Sequence, residues 1–101
     1  MAAPARLADA DIAIRLKTLP GWSLEGGKLH KAFTFKDFVE AWGFMSAAAL
    51  RIQAMDHHPE WFNVWATVRI DLTTHDSGGV TSRDVELAAE MERLAAIFPR
   101  P

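Results

Sequence analysis

Apolar positions along the chain recur with two different periods, and the switches between them mark out the elements. Ile12, Leu16 and Leu19 are spaced for one face of a helix, with Asp9 placed as N-cap and Asp11 in the first turn. Pro20-Gly21 reads as its stop. Trp22 to Glu25 and Lys28 to Phe35 alternate in polarity around Gly26-Gly27, which predicts a β-hairpin whose glycines supply positive φ. On its second strand Leu29, Lys31, Phe33 and Phe35 share the side expected to face the core. Phe38, Trp42, Met45, Ala49 and Ile52 then step by four and three, a helical stripe expected to face a sheet and widened by Val39, Ala48 and Met55. Thr34 and Asp37 resemble a capping box before this helix, and Pro59 stops it.

From Phe62 the even positions Phe62, Val64, Ala66, Val68, Ile70 and Leu72 alternate without a break against Asn63, Trp65, Thr67, Arg69, Asp71 and Thr73. Periodicity alone reads this as one long strand. Ser77-Gly78-Gly79 follows as an expected mobile turn, and Thr81 with Asp84 forms a second capping-box pattern. The last helix is expected to bury Leu87, Ala88, Met91, Leu94, Ala95 and Phe98 before Pro99 closes it. Helices and antiparallel strands in this order predict an α+β sandwich with the helices on one face. Phe38, Trp42, Phe62 and Phe98 are expected in the core, and Trp65, Arg69 and Asp71 on an outer face that is a candidate oligomer contact.

Composition narrows the functional classes. The length of 101 residues predicts a single domain over 1–101, with Met1 to Arg6 expected to fray. Half the residues are apolar and 24% charged, the composition of an ordinary globular chain. A net charge of −2 gives no electrostatic case for nucleic acid. The absence of cysteine excludes disulfides, thiolate zinc sites and thiol catalysis, and it suits a reducing compartment. Neither a long apolar run nor a signal-like N-terminus occurs, so a soluble, cytoplasmic protein without membrane contact is expected.

Three of the four histidines, His57, His58 and His75, lie at element ends, where a rigid scaffold presents functional groups. Imidazole titrates near neutrality and so can both give and take a proton. Pro59 pushes His58 into an extended conformation, which splays the adjacent pair, and Asp56 and Glu60 flank it. A metal would have to use these histidines with Asp56 or Asp76, but neighbouring histidines rarely reach one ion and HExxH-type spacing is absent. No metal is therefore expected. Ser77 and Ser82 read as turn and cap residues rather than nucleophiles, and neither glycine pair carries a phosphate-loop pattern. Trp22 and Trp61 are candidates to present a ring to a flat heterocycle. Asp84 is first the N3 member of a cap, within possible reach of the histidines.

Lys36-Asp37-Phe38, Gly43-Phe44-Met45, Asp56-His57-His58-Pro59-Glu60-Trp61-Phe62-Asn63-Val64 and Leu72-Thr73-Thr74-His75 together resemble the pterin-4a-carbinolamine dehydratase family. Gly21-Trp22 and Arg83-Asp84 fit the same pattern, so the resemblance runs from about Gly21 to Ala96. It implies four antiparallel strands and dehydration of 4a-hydroxytetrahydropterin to the quinonoid dihydropterin, a recycling step after aromatic hydroxylation. It also implies no metal or organic cofactor, and a homodimer or homotetramer. The family pattern makes His57 and His75 the acid/base pair and His58 mainly a pterin-binding residue. Asp56 and Asp84 would orient or tune the imidazoles, and Pro59, Trp61, Thr73, Thr74 and Trp22 would contact substrate. The pattern breaks at Gln53, where relatives often carry a glutamate; glutamine keeps the hydrogen bonding and drops the charge. The alternative is a non-catalytic interaction module, since some animal relatives also bind a homeodomain transcription factor.

One conflict stands between pattern and chemistry. A straight strand from Phe62 to Thr74 would separate its ends by roughly 40 Å at ~3.3 Å per residue, too far for His58 and His75 to share a ligand within one chain. Either the chain reverses near Trp65-Ala66-Thr67 or two subunits build the site. The four strands implied by the resemblance select the reversal, giving α-β-β-α-β-β-α.

Overall fold

The structure is a computed structural model that describes residues 4–99. Its elements are α1 (Asp9–Leu16), β1 (Ser23–Glu25), β2 (Lys28–Thr34), α2 (Phe38–Met55), β3 (Glu60–Val64), β4 (Thr67–Leu72) and α3 (Ser82–Ala95), with one 3-10 turn at His75–Ser77. The four strands form an antiparallel sheet in the order β1-β2-β4-β3. Gly26 and Gly27 take φ of 59° and 78° in the first hairpin turn, as their position between alternating strands requires.

The chain does reverse at Trp65-Ala66, and the reversal changes which side chains face inward. A two-residue turn makes each partner pair join an even residue to an odd one: Trp61 opposes Ile70, Phe62 opposes Arg69, and Asn63 opposes Val68. Cross-strand partners share a face, so Trp61 and Asn63 join Val68, Ile70 and Leu72 on the inner side. Phe62, expected in the core, is instead 51% exposed on the outer face, where Arg69 stacks over its ring at 4.6 Å. Val64 goes outward with it. No glycine marks this turn, and Trp65 itself adopts φ of 50°. The local signal is Asn63, whose Nδ2 donates to the carbonyls of Trp65 at 3.1 Å and Thr67 at 2.9 Å.

α2 and α3 lie on the inner face, over Leu29, Phe33, Val68, Ile70 and Leu72. α2 starts at Phe38 with Asp37 as its own N-cap, accepting from Glu40 N at 2.9 Å; Thr34 still belongs to β2, so the expected box does not form. Its buried residues are Ala41, Phe44, Ala48 and Ile52, with Met45 and Met55 half-buried. Phe38, Val39, Trp42 and Ala49 point outward, against expectation, and Trp42 is 56% exposed. The helix is apolar almost all round, so its period does not single out a face. Contact with the sheet does, because small Ala41 and Ala48 admit a close approach that Trp42 would block. Phe98 is half-buried, set edge-on against Phe35 at 5.7 Å in the space left by Gly43.

α1 begins one residue early, with Ala8 in the cap position and no side-chain cap, and its end at Leu16 leaves Leu19 buried in the following turn. Residues 1–3 of the segment expected to fray lie outside the described residues. Pro4 and Leu7 are tied down: the Pro4 carbonyl accepts from Ser77 Oγ, and Leu7 N donates to Val80 O at 2.8 Å. The turn expected at Ser77-Gly78-Gly79 follows a 3-10 turn and is closed by Thr74 pairing with Gly79. Among the described residues no helix is long and apolar enough to cross a membrane.

Candidate functional site

Three element ends meet at one end of the sheet: the exit of α2, the exit of β4 and the start of α3. The helix α2 ends on Asp56, whose φ of 49° turns the backbone sharply before His57. That turn sends His57 inward, to 7% exposure, while the adjacent His58 stays exposed. Pro59 then delivers the chain into β3. At the other end of the hairpin β4 runs out through Thr73 and Thr74 into the 3-10 turn that carries His75.

A hydrogen-bonded network holds His57. Asp84 is fully buried and its two oxygens accept three bonds. Oδ1 takes His57 Nε2 at 2.5 Å, and Oδ2 takes Thr74 Oγ1 and the Thr81 backbone N–H, each at 2.8 Å. Thr81 Oγ1 lies 2.7 Å from Thr74 Oγ1 and accepts from Arg83 N at 3.2 Å. Each hydroxyl has one proton, and that of Thr74 is spent on Asp84, so Thr81 donates to Thr74. The proton between His57 and Asp84 comes from the imidazole. His57 therefore carries hydrogen on Nε2, and Nδ1 is its one remaining nitrogen. The capping box expected from Thr81 and Asp84 is present, and Asp84 serves cap and histidine at once, one oxygen for each.

His57, His58 and His75 line one cavity of about 220 Å³, together with Asp56, Thr73, Thr74, Asp76 and Arg83. The His75 side chain is fully exposed, with Nδ1 3.8 Å from Asp76. His58 Nε2 lies 3.5 Å from Asp56. The structure thus brings together His57, His58, His75, Asp56, Thr73 and Thr74, with Asp84 behind them. Two imidazoles with different hydrogen-bonding states in one open cavity can give a proton at one atom and take one at its neighbour. Among the described residues no group of three or more His, Cys, Asp or Glu is placed to hold a metal ion.

A model of one protein family, described as pterin 4 alpha carbinolamine dehydratase, matches residues 5–94. The chain belongs to that family. A pterin dehydratase relative from Rhodopseudomonas palustris is 53% identical over 98 residues, covering 94% of this chain and 97% of its own. One from Solibacter usitatus is 50% identical over 91 residues, covering 90% and 96%. Both are named for pterin-4-alpha-carbinolamine dehydratase. A solved structure from Brucella melitensis, described as a transcriptional coactivator/pterin dehydratase, superposes with a TM-score of 0.86 at 41% identity. It covers 89% of this chain, and 98% of its own length is matched.

Three residues singled out from the sequence lie away from the histidine cavity. Trp22 is only 6% exposed, edge-on to Phe33 at 6.1 Å, and its Nε1 donates to Glu92 Oε1 at 2.9 Å; the indole is a core residue pinned to α3. Trp61 is half-buried on β3, packed against the core from the inner sheet face, and does not line the histidine cavity. Pro59 is half-buried and does not line the cavity. Arg83, which fits the family pattern beside Asp84, was given no role at the site from the sequence. Its guanidinium donates to the carbonyls of Met55 and, at 3.2 Å, Asp56, satisfying the open end of α2 just before the histidines. A signal did exist: a cation in the first turn of α3 opposes the helix dipole, so its partner had to lie elsewhere.

Proposed function

We propose that the protein dehydrates 4a-hydroxytetrahydropterins to quinonoid dihydropterins by histidine acid/base catalysis, in pterin recycling in the cytoplasm. The observation that carries this reading is three imidazoles on one cavity, with His57 fixed in a single tautomer by the buried Asp84. In the reaction the C4a–O bond breaks, the hydroxyl leaves as water with one added proton, the N5 proton is lost, and a C4a=N5 double bond forms. One group supplies a proton and another removes one, so no net proton is consumed. His57 Nδ1 is the base for N5–H. His75, open to solvent and recharged from it, is the acid for the hydroxyl, and His58 with Asp56, Thr73 and Thr74 binds the ring. No step is routed through a metal or organic cofactor.

A homodimer or homotetramer is part of this proposal. Phe38, Val39, Trp42 and Leu50 leave an apolar surface on the outward side of α2, which a second copy of the chain would cover. A second reading is a non-catalytic interaction module, favoured by the coactivator in the description of the Brucella structure; retention of all three histidines supports the enzyme. The deciding experiment follows decay of a freshly formed 4a-hydroxypterin with and without purified protein. Wild type is expected to speed the decay, and His75→Ala to abolish most of that gain while melting within about 0.5 kcal/mol of wild type, as expected for an exposed side chain. Unchanged rates in His75→Ala would refute the site, and a protein without dehydratase activity that retains a regulator in a pull-down would favour the interaction module.

A further inference from the structure

The face of the sheet turned away from the helices carries a shallow depression of about 340 Å³. Two neighbouring rows of cross-strand partners line it. In one row His30 of β2, Asp71 of β4 and Glu60 of β3 stand side by side, and in the next Arg69 of β4 stands beside Phe62 of β3. Successive rows on one face are two residues apart, about 6.7 Å along the strand. The first row is short of positive charge. Asp71 and Glu60 are direct cross-strand partners, an arrangement of like charges that costs stability. His30 Nδ1 meets Asp71 Oδ1 at 2.9 Å and Lys28 Nζ meets Glu60 Oε1 at 2.6 Å. Each carboxylate keeps a second oxygen with no hydrogen-bond partner among the described residues. The second row is short of negative charge. Arg69 lies over the Phe62 ring, 4.6 Å from its centroid, and among the described residues no carboxylate pairs with it.

This division of charge selects a ligand. A simple anion on Arg69 would stand beside two carboxylates, and a simple cation between those carboxylates would stand beside the guanidinium. A ligand bearing both charges close together meets neither penalty. Its carboxylate matches the planar fork of arginine, and its ammonium has three protons for the two open oxygens. Stacking on Phe62 already orders the guanidinium, so little freedom is lost when the ligand binds. The Phe62 ring is half exposed and offers an apolar side chain a surface to cover. We propose that the depression binds a free α-amino acid with an apolar side chain, its carboxylate on Arg69, its ammonium between Asp71 and Glu60, and its side chain against Phe62. The depression shares no residue with the histidine cavity, and this inference does not rest on the dehydratase reading.

The test is a ¹⁵N-edited NMR titration of the whole chain with leucine and with three relatives, each lacking one feature. N-acetylleucine has no ammonium, leucinamide no carboxylate, and serine no apolar side chain. Leucine is expected to shift amides at 60–62 and 69–71 saturably, with Kd in the millimolar range of a small ligand on an open surface. N-acetylleucine and leucinamide are each expected to bind at least about tenfold more weakly, the scale of one lost charge-assisted hydrogen bond, and serine about fivefold more weakly. Arg69→Gln and Asp71→Asn are each expected to weaken leucine binding at least about tenfold, with thermal melts checking that both variants remain folded. No saturable shift with leucine would overturn the site, as would shifts confined to the histidine cavity. Equal affinity for N-acetylleucine would overturn the amino acid in favour of a plain carboxylate, and equal affinity for leucinamide in favour of a plain cation. Serine binding as tightly as leucine would overturn the apolar contact. Unchanged leucine affinity in both variants would overturn the assigned partners.

Discussion

Replacing Asp84 by asparagine alters the chemistry of one atom in the network and should reverse the proton pattern of His57. Asparagine keeps one oxygen where aspartate has two accepting three bonds. The Thr81 backbone N–H can only donate, so the oxygen has to stay on its side, and the new amide nitrogen then faces His57 Nε2. Two N–H groups cannot share that 2.5 Å contact, so the imidazole proton must move to Nδ1. The nitrogen left for substrate turns from acceptor to donor. Hydrogen bonds to a charged group contribute about 1.5–3 kcal/mol against about 0.5–1.5 for neutral ones, so three such exchanges cost roughly 3 kcal/mol of stability. A domain holding about 5–15 kcal/mol tolerates that. The rate suffers more, because a correctly placed base is worth about 10²–10⁴-fold. Stopped-flow decay of the 4a-hydroxypterin, a urea midpoint and the ¹⁵N shifts of the His57 ring separate the two effects. An Asp84→Asn protein that keeps its rate, with the proton still on Nε2, would refute the tautomer argument.

Other consequences are equally direct. Phe33→Ala removes a fully buried ring packed against Trp22, Phe35 and Phe44 and should cost about 3–5 kcal/mol in chemical denaturation; a loss under 1 kcal/mol would mean the inner face is not the core. Ser77→Ala cuts the tie from the His75 loop to the Pro4 carbonyl. It should lower kcat on the order of threefold to tenfold through misplacement of His75, with KM little changed and faster amide exchange at Thr74 and Gly79; unchanged exchange would show that the N-terminal segment does not hold the loop. Trp42→Glu places a charge in the outward apolar patch of α2 and should reduce the mass seen by light scattering; an unaltered assembly would move the interface elsewhere.

Much of this protein was determined locally and could be read from its sequence. The first hairpin is written in alternation around two glycines, and the start of α3 in Thr81 and Asp84. The splayed exit of α2 lies in the His57-His58-Pro59 run, because each of these depends on sterics or hydrogen bonds within a few residues. The block from Asp56 to Val64 and the Thr-Thr-His run likewise pointed to the family and to the histidines that share the cavity. Three features were decided by tertiary structure. Parity across the two-residue turn, which no window of alternation records, sent Phe62 outward and Trp61 inward. Close approach to the sheet chose Ala41 and Ala48 over Phe38 and Trp42 on a helix apolar on most sides. Arg83 and Asp84 reach residues 27 and 28 positions earlier in the chain. Such contacts exist only once the fold has closed, because side-chain type reports what a residue can bond to and only packing says which partner is within 3 Å.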